Sequence, residues 1–205
     1  AAAEWNALDL GGNPLVRHEF LLALEQTRCA TRATGWQAQH LLLVNAQGAL
    51  VGAMPLYLKP HSWGEFVFDW SWADAWRQSG HAYYPKLVTA IPFTPATGPR
   101  LCAAPGMDED QCLHAALGAV KKLAAQRQLS SWHLLFPEEA VSKTLLNAGM
   151  HRRAATQFHW FNDGYSCFED FLATFNSRKR KALNKERRRV AEQGLVLKTL
   201  AGTDI

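Results

Sequence analysis

Residues 108–136 read DEDQCLHAALGAVKKLAAQRQLSSWHLLF, and this stretch decides the fold class. Leu113, Ala116, Leu117, Val120, Leu123 and Ala124 recur at helical spacing and give one apolar face. Asp108, Glu109 and Asp110 open the segment, and Lys121, Lys122 and Arg127 close it, the order a helix dipole favours. A helix is therefore expected over 108–128. Trp132 to Phe136 follows as a short apolar strand, stopped by Pro137.

Downstream, Glu138 to Asn147 reads as a second helix, with Gly149 just past its end. Arg152 to Phe161 reads as a strand, because Ala154, Thr156, Phe158 and Trp160 alternate. Upstream, Leu87 to Ile91 is a buried strand, followed by a loop punctuated by Pro92, Pro95, Gly98 and Pro99. Arg100 to Ala103 is a brief extended piece. Leu41–Val44 and Leu50–Leu58 flank turn residues Asn45 to Gly48 and predict a hairpin. Asn13-Pro14 reads as the cap and first position of a helix running to about Arg28. Glu65–Asp69 is expected as a third strand, with Phe66 and Phe68 on one face and Val67 on the other. A short helix is expected over Trp72–Gln78. An antiparallel start joined to a strand–helix–strand–helix–strand run gives a mixed α/β class, one sheet flanked by helices.

Asn162-Asp163-Gly164 marks a boundary, giving units 1–162 and 163–205. In the second, Ser166 and Glu169 have capping-box spacing. Phe168, Phe171, Leu172 and Phe175 form an apolar stripe, a basic helix runs from about Arg178 to Gln193, and Leu195 to Leu200 begins a strand.

The 205 residues are 48% hydrophobic and 20% charged, ordinary for a soluble globular chain. No apolar run reaches the ~18 residues a membrane helix needs. Neither a leader nor metal-ligand spacing is evident. Cys29, Cys102, Cys112 and Cys167 are far apart and read as reduced thiols in a cytoplasmic protein. A start at Ala1 and an end at Asp204-Ile205 read as a fragment. The net charge of +4 is uneven: eight of the 22 basic residues and one of the 18 acidic ones fall in 178–189, RKRKALNKERRR. The rest holds 14 against 17 and is mildly acidic. That helix is either a solvated surface or an anion site, with Arg178, Lys179, Arg180, Lys181, Lys185 and Arg188 as the candidates.

The stretch His61–Asp74, HSWGEFVFDWSWAD, is the candidate site. It sets Glu65, Asp69 and Asp74 among five Phe and Trp residues, as ligand pockets do. The plain alternative is an aromatic core whose acids face water.

Three segments carry a family resemblance: GAMPLYLKPHSWGEFVFDWSWADAW (52–76), YYPKLVTAIPFTPATGPRL (83–101) and FNSRKRKALNKERRRV (175–190). The chain resembles the FemAB-like predicted N-acyltransferases of the GNAT (acyl-CoA N-acyltransferase) superfamily, associated with peptidoglycan biosynthesis or recognition. The resemblance implies a GNAT-like fold, with this chain holding the first of two tandem units and the opening of the second. It implies acyl or aminoacyl transfer to an amine, on a small molecule or cell-wall precursor, from acyl-CoA or aminoacyl-tRNA, with tRNA a possible partner. No metal is implied, and the oligomeric state is left open. One interval departs from the pattern. Acetyl-CoA users place a glycine-rich loop before the long helix, whereas here Arg100 to Asp110 includes Pro105 and three acids, which repel a pyrophosphate.

Amine acylation needs a base, an oxyanion partner and alignment. Asp69 and Asp74 are equal candidates for the base, with Glu65 in reserve, since burial beside Trp raises a carboxyl pKa. Trp70 and Trp72 offer walls. Tyr83, Tyr84 and Lys86 are candidates to orient the substrate or protonate the leaving group, and Arg100 to hold an anion or cap a carbonyl. A module that binds an anionic ligand without turnover is the alternative function.

Overall fold

The computed structural model describes residues 2–202. The chain divides into two compact units, Ala1–Ala155 and Thr156–Ile205. The first opens with helix α1 (Ala2–Asn6), a 3-10 turn (Pro14–Val16) and α2 (His18–Gln26). The single helix expected from Pro14 is thus broken at Arg17, whose extended backbone caps α2. Asn13 does cap the turn, its side chain accepting from the Leu15 N–H.

The strands are β1 (Gln37–Ala38), β2 (Leu41–Val44), β3 (Leu50–Met54), β4 (Tyr57–Lys59), β5 (Lys86–Thr89), β6 (Cys102–Ala103) and β7 (Trp132–Leu134). They form a four-stranded sheet, β1-β4-β5-β7, and a three-stranded sheet, β2-β3-β6. One pairing, β5 with β7, is parallel, and the others are antiparallel. The expected hairpin is β2–β3, but the strand expected over 50–58 is split at Pro55, which has no N–H for a ladder. The register nevertheless carries across the break. Leu41 faces Met54 in one sheet and Ala38 faces Tyr57 in the other. Between them the Gln39 N–H donates to the Leu56 carbonyl, and the Leu56 N–H donates to the His40 ring.

Helices cover both faces. On one, α4 (Glu109–Gln126) and α5 (Glu139–Asn147) bury Cys112, Leu113, Ala116, Val120, Val141 and Leu145 against Met54, Leu87 and Leu101. Asp108 caps α4 by accepting from the Gln111 N–H. On the other, Trp5, Leu8, Val16 and Leu21 pack on Ala53, Ile91 and Cys102. The mixed α/β class follows from this layering.

Residues 65–69 are a loop, not the expected strand, because Phe66 (φ 59°) and Phe68 (φ 49°) take left-handed backbone that no ladder accommodates. Helix α3 (Trp70–Gln78) follows. Residues 152–161 form no strand either, although their side chains alternate in type. No strand among the described residues pairs with them, and Phe158 stays 96% exposed.

In the second unit, α6 (Phe168–Ala173) is capped by the box Cys167/Asp170 rather than Ser166/Glu169. Asp170 accepts from the N–H groups of both Ser166 and Cys167. Helix α7 (Ser177–Glu192), capped by Asn176, buries none of its residues, and Arg187 stacks 3.9 Å from the Phe168 ring centroid. Residues 195–200 form neither helix nor the expected strand. No helix among the described residues is long and apolar enough to cross a membrane.

Candidate functional site

Strand register places two lysines side by side. Lys59 at the end of β4 faces Lys86 at the start of β5, and alternation turns both toward the face that carries Tyr57 and Val88. Both are fully buried. Opposed like charges are destabilising unless acids join them. The loop after β4 supplies the acids. Glu65 (2% exposed) and Asp69 (1%) turn inward, while Trp63 (68%) and Phe68 (70%) turn out. Left-handed backbone at Gly64, Phe66 and Phe68 makes this reversal. A side chain at Gly64 would meet the Phe93 ring at 2.7 Å and Trp36 Nε1 at 3.0 Å.

Lys86 Nζ is the hub. It donates to Asp69 Oδ2 at 2.7 Å, Ser62 Oγ at 2.8 Å and Glu65 Oε2 at 2.9 Å, which uses its three N–H groups. The Tyr83 hydroxyl donates to Asp69 Oδ2 at 2.7 Å, and Ser62 Oγ and the Tyr84 hydroxyl are hydrogen-bonded at 2.8 Å. Lys59 Nζ donates to the Trp63 carbonyl, lies 3.6 Å from the Trp36 ring centroid and sits 3.9 Å from Glu65 Oε1. His133 of β7 completes the group, with Nδ1 3.5 Å from Lys86 Nζ and Nε2 3.1 Å from Ser131 Oγ. Glu65 Oε1 and Asp69 Oδ1 are buried without a hydrogen-bond partner. Single oxygens or nitrogens of Glu65, Asp69 and His133 lie within 4.8 Å of one another, close enough to hold a cation. The Lys86 ammonium contacts all three and fills that place.

The environments push the titrations apart. Burial raises the Glu65 carboxyl, and Lys86 and Lys59 only partly offset it. Burial also pushes Asp69 upward, but its hydrogen bonds from Lys86 and Tyr83 prevail and hold it at about 2. Burial brings Lys59 down to about 8. Burial, then Lys86, brings His133 down to about 4 against the pull of Asp69.

His133 therefore sets an acid limb. Its unfolded pKa is near 6.5. Between about pH 6.5 and 4 the unfolded chain binds the extra proton, so stability is intact above 6.5 and falls as pH drops through this window. Asp69 acts lower, between its ordinary value of 3.8 and about 2. The urea midpoint of the protein is expected to fall across the His133 window, and that of His133→Asn to fall less steeply, the remainder coming from His40 and His61, which burial also lowers. Equal slopes for both would place the limb elsewhere.

The structure gathers Glu65, Asp69, Tyr83, Tyr84 and Lys86 and leaves the other candidates apart. Asp74 is exposed and paired with Arg77 at 2.7 Å, one helical turn along α3. Trp70 and Trp72 project from α3 into solvent, Trp70 against Trp63 with ring centroids 5.2 Å apart. Arg100 is buried, and its guanidinium donates to the carbonyls of Leu135, Gly98, Pro99 and Ala96, so it caps backbone. Arg178, Lys179, Arg180, Lys181, Lys185 and Arg188 are exposed on α7.

Lys59, Ser62 and His133 escaped sequence reasoning. A lysine at each end of an otherwise apolar strand, as in Leu58-Lys59 and Lys86-Leu87, was the available signal.

The FemAB-like family, described as peptidoglycan biosynthesis/recognition, matches residues 1–205. No curated protein matches the chain. With its full length covered by that match, the chain belongs to the FemAB-like family.

Proposed function

We propose that the protein is an N-acyltransferase that moves an acyl or aminoacyl group onto an amine, on a small molecule or cell-wall precursor. The donor would be acyl-CoA or aminoacyl-tRNA. We read the units as tandem GNAT-like folds acting in the cytoplasm, and the exposed Lys and Arg side chains of α7 as a phosphate-binding face for the donor.

One observation carries the reading: a hydrogen-bonded chain from the half-buried Tyr84 hydroxyl through Ser62 and Lys86 to Glu65. Attack on the donor carbonyl forms the N–C bond and leaves an extra proton on nitrogen. Tyr84 takes that proton and gives its own to Ser62. Lys86 gives one N–H proton to Glu65, and the neutral amine, turned about its Cε–Nζ bond, takes the one that Ser62 passes on. Glu65 suits the last place because its carboxyl is raised by burial, whereas Asp69 is too weak a base. The proton later returns to the leaving group, a thiolate or the tRNA hydroxyl.

A second reading, an anion-binding module without turnover, is favoured by the start of α4. Asp108 occupies that helix N-terminus, where a coenzyme pyrophosphate would otherwise bind. Incubating the protein with acyl-CoA or charged tRNA and an amine acceptor separates the two. Transfer from one donor supports the enzyme, and binding with no transfer from either donor supports the module.

A further inference from the structure

Arg153 stands between the loop that carries the acids of the cluster and the exposed aromatic face of α3. Its guanidinium carbon lies 5.7 Å from the Trp72 ring centroid, and it donates to the Phe68 carbonyl at 3.3 Å. It also helps keep His133 unprotonated, which places its charge near the cluster. Neighbouring arginines are neutralised: Arg77 by Asp74, and Arg152 by Glu139 at 3.3 Å. Among the described residues Arg153 makes no ion pair, and one of its nitrogens is spent on a carbonyl. Beside it, α3 buries none of its nine residues and presents Trp70, Trp72 and Trp76 to solvent. A guanidinium with free N–H groups matches phosphate oxygens, and exposed indoles stack on nucleobases. A molecule that carries both an anion and a flat ring satisfies both features at once.

We propose that Arg153 and the indoles of Trp72 and Trp76 form a nucleotide subsite at the rim of the cluster, with Arg153 on the phosphates and the rings on the base. The subsite deepens the acyl-transfer reading by giving the site a nucleotide-bearing ligand, yet it is tested without turnover.

Calorimetric titration of the protein with ADP, UDP, adenosine and inorganic pyrophosphate tests it. The diphosphates should bind at least ~10-fold more tightly than adenosine or pyrophosphate. Arg153→Ala should cut ADP binding ~10-fold or more and flatten its salt dependence. Trp72→Ala should bring it near that of pyrophosphate, and Arg17→Ala, a distant charge control, should leave it unchanged. Circular dichroism confirms that each variant is folded. ADP bound no better than pyrophosphate, or bound equally by Arg153→Ala and the unaltered protein, overturns the subsite. Nucleotide binding without transfer keeps the subsite and sinks the enzyme reading; transfer without nucleotide binding does the reverse.

Discussion

Lys86→Met lowers folding stability by about 3–5 kcal/mol, measured by urea unfolding at neutral pH. The substitution keeps side-chain volume and removes the ammonium from between Glu65 and Asp69, both nearly inaccessible. Two carboxylates then share a dry site with Lys59 alone, which lies 3.9 Å from Glu65. Ser62 and Asp69 each lose a donor. A buried charge left without its partner costs far more than an intact pair contributes, so the cost lies in the carboxylates that remain. The triple variant Lys86→Met, Glu65→Gln, Asp69→Asn should recover much of the loss, since it removes the stranded charges as well. A single variant within about 1 kcal/mol of the unaltered protein would show that water reaches these acids, and the closed cluster would be lost as an idea.

Sequence made the helices and their caps legible where the signal is local. Asp108 at the start of α4 and Asn13 before Pro14 act within three residues of themselves. Expectations that needed a distant partner fared worse. Residues 152–161 alternate as a strand does, yet alternation does not supply a neighbour to pair with. The loop at 65–69 is the instructive case. Its alternation is real: Glu65 and Asp69 are buried, Phe66 and Phe68 exposed, and Val67 lies between the two. Hydrophobicity alone would bury the phenylalanines. The choice of face was made instead by Lys59 and Lys86, which are brought together only by the register of β4 on β5. No pattern within the loop reports that register. Arg100 carries the same lesson, because four carbonyl partners from a folded turn and from Leu135 decide its role.

Tyr84→Phe should slow acyl transfer by about 10²-fold, with little change in stability and in KM. The hydroxyl is the outermost link of the chain to Glu65, and its loss leaves every bond of Lys86 in place. Glu65→Gln removes the proton's destination and should cost more, about 10²–10⁴-fold. It also leaves Lys86 bound to Asp69, so the fold survives for the measurement. The two losses act on one path, so combining them should cost hardly more than Glu65→Gln alone. Asp74→Asn, far less demanding because Asp74 is exposed and pairs with Arg77 at the surface, should leave the rate unchanged. The order of effects is what tests the relay. A relay ending on Glu65 requires the Tyr84 hydroxyl and the Glu65 carboxylate to be coupled in rate and uncoupled from Asp74. Full activity in Tyr84→Phe, or multiplied losses in the double variant, would mean that the amine gives up its proton by another route and that the cluster serves only to hold the loop.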